Sequence, residues 1–138
     1  MLKFVLLALS LAILSGCSSA YSGLTAKQSG VNTYYYPAKE TTSELIKLGE
    51  QAIDSIQSEC TDSEYCTHMK DIVASKILIG KNKSEIGKIF RLSKKVYNVQ
   101  PEMTHIGYSC CEGESSCDLI IIFNKEGIVT ETYLSINH

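Results

Sequence analysis

The apolar positions of this 138-residue chain change period several times along its length. Phe4 to Ile13 is an uninterrupted greasy run behind one positive charge, Lys3. A bilayer-spanning helix needs about 20 residues, so this run is too short to be one and has the form of a secretory signal. From Ser18 to about Thr41 small polar residues dominate without helical or strand periodicity, and the stretch reads as a tether. Some two dozen flexible residues would span roughly 25 to 30 Å. Thr41 and Glu44 then stand three apart, as in a capping box that opens a helix. Leu45, Leu48, Ala52, Ile53 and Ile56 follow at helical spacing, with Lys47, Glu50, Gln51 and Asp54 on the wet side. A second helix is expected after the turn signal Thr61-Asp62-Ser63, with Tyr65, Met69, Ile72, Val73 and Ile77 on one face and Gly80 at its end. Asn82-Lys83-Ser84-Glu85 opens a short third helix that buries Ile86, Ile89 and Phe90.

Beyond Lys95 the period becomes alternating or continuously apolar, the pattern of strands. Val96 to Val99, Thr104 to Cys111, Asp118 to Asn124 and Ile128 to Ser135 are the candidates, with Asn124 to Gly127 as a tight turn between the last two, and Thr104 to Cys111 and Ile128 to Ser135 are expected as edge strands that offer backbone groups to a partner. The expected fold is α+β: an N-terminal helical hairpin plus a short third helix packed on a three- to four-stranded antiparallel sheet. The chain divides into a signal peptide (1–16), Cys17 with a tether (17–41) and one domain (42–138).

Removing residues 1–16 takes away one basic residue and leaves 12 basic and 15 acidic ones, a net charge near −3. The lysine groups Lys94-Lys95 and Lys81-Asn82-Lys83 read as solvated helix faces and do not make a basic patch, so nucleic acid is not an expected partner. Besides Cys17 there are Cys60, Cys66, Cys110, Cys111 and Cys117, and a secreted chain carries these into an oxidising compartment. Two disulfides and one free cysteine are expected. Cys60 and Cys66 flank a turn, and Cys117 faces Cys110 and Cys111 across Glu112 to Ser116, so these are the favoured pairings. Each short loop would contribute roughly 2 kcal/mol.

Leu14-Ser15-Gly16-Cys17 resembles the lipobox of bacterial lipoproteins, in which the sulfur is acylated and the chain is cut before the cysteine. The resemblance implies a lipid-anchored protein with palmitate or a similar acyl chain on Cys17. Ser18 after Cys17, in place of aspartate, fits sorting to the cell outer membrane with the domain in the periplasm. The run Ile79 to Phe90, followed by Leu119 to Phe123, Asn124 and Gly127-Ile128-Val129, is similar to the BamE (SmpA/OmlA) family of outer-membrane lipoproteins. Asn82 stands where the family's threonine caps the helix, and Phe90-Arg91 replaces its usual Leu-Gly. This similarity covers about residues 77–135 and implies a helix-helix-sheet fold and an accessory binding role.

Cysteines with His68 are possible zinc ligands by chemistry, but no Cys-x-x-Cys pair exists and disulfides compete for the thiols. No metal or other cofactor is expected. Adjacent Cys110 and Cys111 in a strand would point to opposite faces, which disfavours a redox pair. His68, His105 and His138 have no triad spacing, and Glu112 with Glu114 supplies too few oxygens for calcium. No catalytic residue emerges and no enzyme activity is expected. Tyr34-Tyr35-Tyr36 before Pro37 suits docking on a partner or lipid headgroups, or a short extended segment packed on its own domain. Together with Tyr108, Glu112 and Glu114 these are the candidate partner-binding residues. The leading expectation is a non-enzymatic envelope lipoprotein that is an accessory subunit of an envelope protein complex, in outer-membrane protein assembly or envelope integrity. The alternative is a surface-tethered inhibitor or exclusion factor acting on an enzyme or receptor, with the Glu112 to Ser116 loop as its plug.

Overall fold

The computed structural model describes residues 23–58, 62–91, 96–100, 102–108 and 116–137. The order of elements is β1 (Leu24–Ser29), β2 (Asn32–Pro37), α1 (Ser43–Ile56), α2 (Asp62–Ser75), α3 (Lys83–Ile89), β3 (Val96–Gln100), β4 (Met103–Tyr108), β5 (Ser116–Phe123) and β6 (Val129–Asn137). The α+β class, the three helices and the antiparallel sheet follow the hydrophobic pattern. The expected strand count does not: among the described residues the sheet has six strands, in the order β1-β2-β6-β5-β4-β3. The helices are accordingly not the first elements of the fold.

Both additional strands come from the stretch expected to be a tether. Gly30 takes φ 62° in the turn that pairs Ser29 with Asn32, and the register continues to Leu24 opposite Pro37. β2 then pairs with β6, which brings residues 24–37 into the body of the domain. Composition concealed this hairpin because β1 is an edge strand whose residues beyond Leu24 are exposed. Polar side chains therefore cost nothing there. The other reading of the tyrosine triplet, an extended segment packed on its own domain, agrees with β2. Two other expectations are corrected by the topology: Thr104 to Cys111 and Ile128 to Ser135, read as edges, supply the interior strands β4 and β6, and the edges are β1 and β3.

One face of the sheet is covered by helices. α2 is the central helix, and α1 packs on it. Tyr65, Cys66, Met69, Ile72 and Val73 of α2 join Leu119, Ile121, Phe123, Val129, Leu134 and Ile136 of the sheet in one core, with Ile86, Ile89 and Phe90 of α3 completing it. The expected stripe of α3 is therefore buried, as is that of α2 from Tyr65 to Val73, while Ile77 lies beyond the helix end and is half-buried. Full burial of a Leu, Ile or Val side chain is worth about 1.5–3 kcal/mol, so this layer dominates the stability.

On α1 the apolar pattern misjudged one turn. Leu48 is 43% exposed, and the buried stripe runs through Gly49, Ala52 and Ile56, with Leu45 and Ile53 half-buried. Gly49 lies against Ser75 of α2, and a methyl group on it would stand 2.5 Å from the Ser75 Cβ. The absence of a side chain sets the helix spacing here. The N-cap is Thr42, one residue later than the expected Thr41: its Oγ1 accepts from the Leu45 amide at 3.2 Å, while the Thr41 hydroxyl has no partner among the described residues.

α2 ends at Ser75, not Gly80. Lys76 takes a left-handed φ of 57° and its Nζ donates to the Lys39 carbonyl at 3.0 Å. Gly80, at φ 86°, is used four residues later, where its amide donates to Val129 O and the Val129 amide donates to Lys81 O. This stitches the start of α3 to the start of β6. α3 has the capping box expected of it: Asn82 Oδ1 accepts from the Glu85 amide at 2.9 Å, and Glu85 Oε2 accepts from the Asn82 amide at 2.8 Å. The β5–β6 turn also matches expectation. Asn124 Oδ1 accepts from the amides of Glu126 and Ile128, both at 3.0 Å, and Gly127 takes φ 76°.

Candidate functional site

Alternation along a strand sends successive side chains to opposite faces, so the tyrosine triplet is split by its own pleat. Tyr35 packs against the core beneath the helices. Tyr34 and Tyr36 lie on the other face, where β2 borders β6 and Tyr133 joins them. The Tyr34 and Tyr133 rings meet edge to face at 5.9 Å between centroids, and Tyr36 tilts over Tyr133 at 5.1 Å. All three tyrosines are half-buried. Beneath them the face is closed: Ile120, paired with Tyr133, is 2% exposed, and Ser135, paired with Tyr34, is 8% exposed.

Polar groups border the rings. Lys27 and Thr25 of β1 stand opposite Tyr34 and Tyr36 in the register, and Thr25 Oγ1 donates to the Tyr36 carbonyl at 3.4 Å. Asn32 Nδ2 lies 3.5 Å from the Tyr34 hydroxyl. The Tyr36 and Tyr133 phenols titrate above the ordinary tyrosine range, first because burial disfavours the phenolate; the Glu131 carboxylate comes next for Tyr36, and Tyr36 and then Glu131 for Tyr133. These phenols stay neutral hydrogen-bonding groups on flat apolar rings. Such rings bury much area at small conformational cost, which suits contact with another molecule.

A concavity lies between α1 and α2. It is an open groove of about 510 Å³ lined by Leu48, Gln51, Ala52, Asp54, Ser55, His68 and Asp71. Burial raises the Asp71 carboxyl above its ordinary range, and the nearby His68 and Lys70 partly oppose that shift. Among the described residues no group of three or more His, Cys, Asp or Glu side chains is placed to hold a metal ion.

Of the expected site residues, Tyr34 and Tyr36 come together and Tyr35 points into the domain. Tyr108 ends β4, opposite Cys117 of β5. Cys66 is 1% exposed in α2 and disulfide-bonded. Cys17, Cys60, Cys110, Cys111, Glu112 and Glu114 lie outside the described residues, as does His138. His68 is half-buried in the interhelical groove. Tyr133 was not among the expected residues. Its signal was the alternation of the last strand, which places it one position from Leu134, but only the cross-strand register unites it with β2. Among the described residues no helix is long and apolar enough to cross a membrane. No protein-family model, curated protein or solved structure matches the chain.

Proposed function

We propose that this chain is a non-enzymatic cell-envelope lipoprotein, anchored through acylated Cys17 in the outer membrane with its domain in the periplasm, and that it serves as an accessory subunit of an envelope protein complex. The lipobox-like Leu14-Ser15-Gly16-Cys17 supports the anchor, and the similarity of residues 77–135 to the BamE family supports a place in outer-membrane protein assembly or envelope integrity. Cys66 pairs with Cys60 on this reading, and Cys117 with Cys110 or Cys111. The observation that carries the binding role is the tyrosine cluster. Tyr34, Tyr36 and Tyr133 gather on the sheet face away from the helices, although the core has its apolar layer on the other face.

Entry of the chain into β1 at Leu24 shortens the tether. Only six residues, Ser18 to Gly23, separate Cys17 from the first strand, a reach of about 20 Å when fully extended. A partner engaged by this face is therefore met close to the bilayer. Crosslinking pull-down from intact envelopes tests the proposal with the unaltered chain, Cys17→Ala and the pair Tyr36→Ala with Tyr133→Ala. Recovery of a membrane protein complex that falls at least fivefold in both variants supports it. Recovery unaffected by the tyrosine changes removes the sheet face from the reading, and a Cys17→Ala chain that stays membrane-bound removes the lipid anchor.

A further inference from the structure

We infer that the edge of β1 that no strand among the described residues occupies pairs with β1 of a second copy of this chain, in one antiparallel register centred on Ala26. The two edges of the sheet are unlike. β3 has a register shift between Asn98 and Gln100, and Pro101 follows it in the sequence, two features that blunt an edge. β1 keeps regular register from Leu24 to Ser29, contains no proline, and is exposed from Thr25 onward. Its single charge is Lys27.

The hydrogen-bond phase shows which groups of β1 face outward. Gly23 accepts from the Ala38 amide at 2.7 Å, so Gly23 and Ala38 form a bonded pair. Bonded pairs alternate along an antiparallel ladder, which makes Thr25, Lys27 and Ser29 the residues bonded to β2. The N–H and C=O groups of Leu24, Ala26 and Gln28 therefore point to the open edge. Two such edges fit in antiparallel fashion only when these three residues face the same three in the other copy. With Ala26 opposite Ala26, Leu24 meets Gln28, every outward N–H meets a C=O, and Lys27 lies opposite Thr25. A slip of two residues toward the hairpin turn would set Lys27 against Lys27, and like charges directly opposite are unfavourable. A slip the other way shortens the seam. Self-complementarity thus selects one register, which continues the tyrosine face across the seam.

A single strand pair buries less than the ~1,000 Å² of a stable interface, so association is weak in dilute solution. Confinement on one membrane raises the effective concentration. That enhancement rests on the proposed Cys17 anchor, whereas the register does not.

The test places a photoreactive amino acid at Gln28 of the full chain in cells and reads crosslinked dimer by mass and by peptide mapping. The expected result is a dimer joined between residue 28 and the segment around Leu24. Ala26→Pro removes an outward N–H while leaving the bonds to β2, and should lower the dimer at least fivefold. Ala26→Lys sets two ammonium groups face to face on the axis without touching the backbone, and should do the same. Co-expression of Ala26→Lys with Ala26→Glu chains should restore the dimer. Absence of dimer, a link mapped elsewhere, an adduct with a different protein only, or indifference to both Ala26 variants would overturn the inference. Loss of dimer in Cys17→Ala at cellular levels, with recovery when that protein is concentrated, separates the anchor from the edge and supports the inference.

Discussion

Replacing Gly49 by alanine tests the helix packing most directly. In an exposed helix this change stabilises by about 1 kcal/mol, because glycine loses more backbone freedom on folding. Here the new carbon would stand 2.5 Å from the Ser75 Cβ and still closer to its Oγ, with Ile77 Cγ2 at 3.4 Å. Ordinary carbon contacts begin near 3.5 Å, so the helices must part by roughly 1 Å. The opposing Cβ is fixed to the α2 backbone, and no rotamer change relieves the overlap. Ser75 is 3% exposed and its hydroxyl donates to Ile72 O at 2.9 Å. Overpacking of this kind costs about 1–3 kcal/mol. A fixed opponent puts Gly49→Ala toward the upper end, for a net loss of about 2 kcal/mol. Thermal unfolding followed by circular dichroism should show a midpoint lower by about 8 °C for a chain of this size. Ser75→Gly in the same chain should recover at least about 1 kcal/mol as a coupling term, while Ser75→Ala should recover far less because the Cβ remains. A Gly49→Ala chain as stable as the original, or more stable, would refute the close approach.

Thr132 is 1% exposed and its hydroxyl has no partner among the described residues, so Thr132→Val should raise stability by about 1 kcal/mol in denaturant unfolding. Asn82→Ala removes the α3 capping box and should cost about 1 kcal/mol by the same measurement, with Asn82→Asp largely neutral. Burial holds the Asp71 carboxyl above its ordinary range, so folding favours its protonated form; that contribution is complete below the ordinary carboxylate range and is lost as pH rises through the folded value. Asp71→Asn should therefore stabilise at pH 7 and have no such benefit near pH 3, in unfolding curves at both pH values. The raised Tyr36 and Tyr133 phenols likewise favour folding while neutral, so stability should fall above about pH 10 as the unfolded chain ionises first. Phenolate absorbance in an alkaline titration should show Glu131→Gln shifting the tyrosine transition to lower pH.

Local chemistry made several elements legible in the chain itself. Tyr65, Met69, Ile72 and Val73 return at helical spacing, Asn82 and Glu85 cap α3 from within one turn, and Asn124 to Gly127 closes a hairpin through its own side chain and one positive φ. These features depend on residues a few positions apart, so their physics is written in order along the sequence. β1 was hidden for the opposite reason. Its side chains are polar because it is an exposed edge, and an edge strand is defined by a neighbour on one side, not by a hydrophobic period.

The candidate site divides along the same line. The run Tyr34-Tyr35-Tyr36 was visible as an unusual density of aromatic rings, but its split between core and open face follows from pairing with β6, a strand about 100 residues away in sequence. Tyr133 entered the cluster only through that register. Gly49 likewise has no hydrophobic signal, and its role as the contact point of two helices exists only once α2 brings Ser75 against it. The helices, the turns and the lipobox-like motif can be read along the linear chain, because short-range propensity, capping and spacing decide those. The order of the six described strands, the aromatic face and the position of β1 at an edge of that sheet arise only in the folded chain, because each is made by residues that long-range pairing brings together.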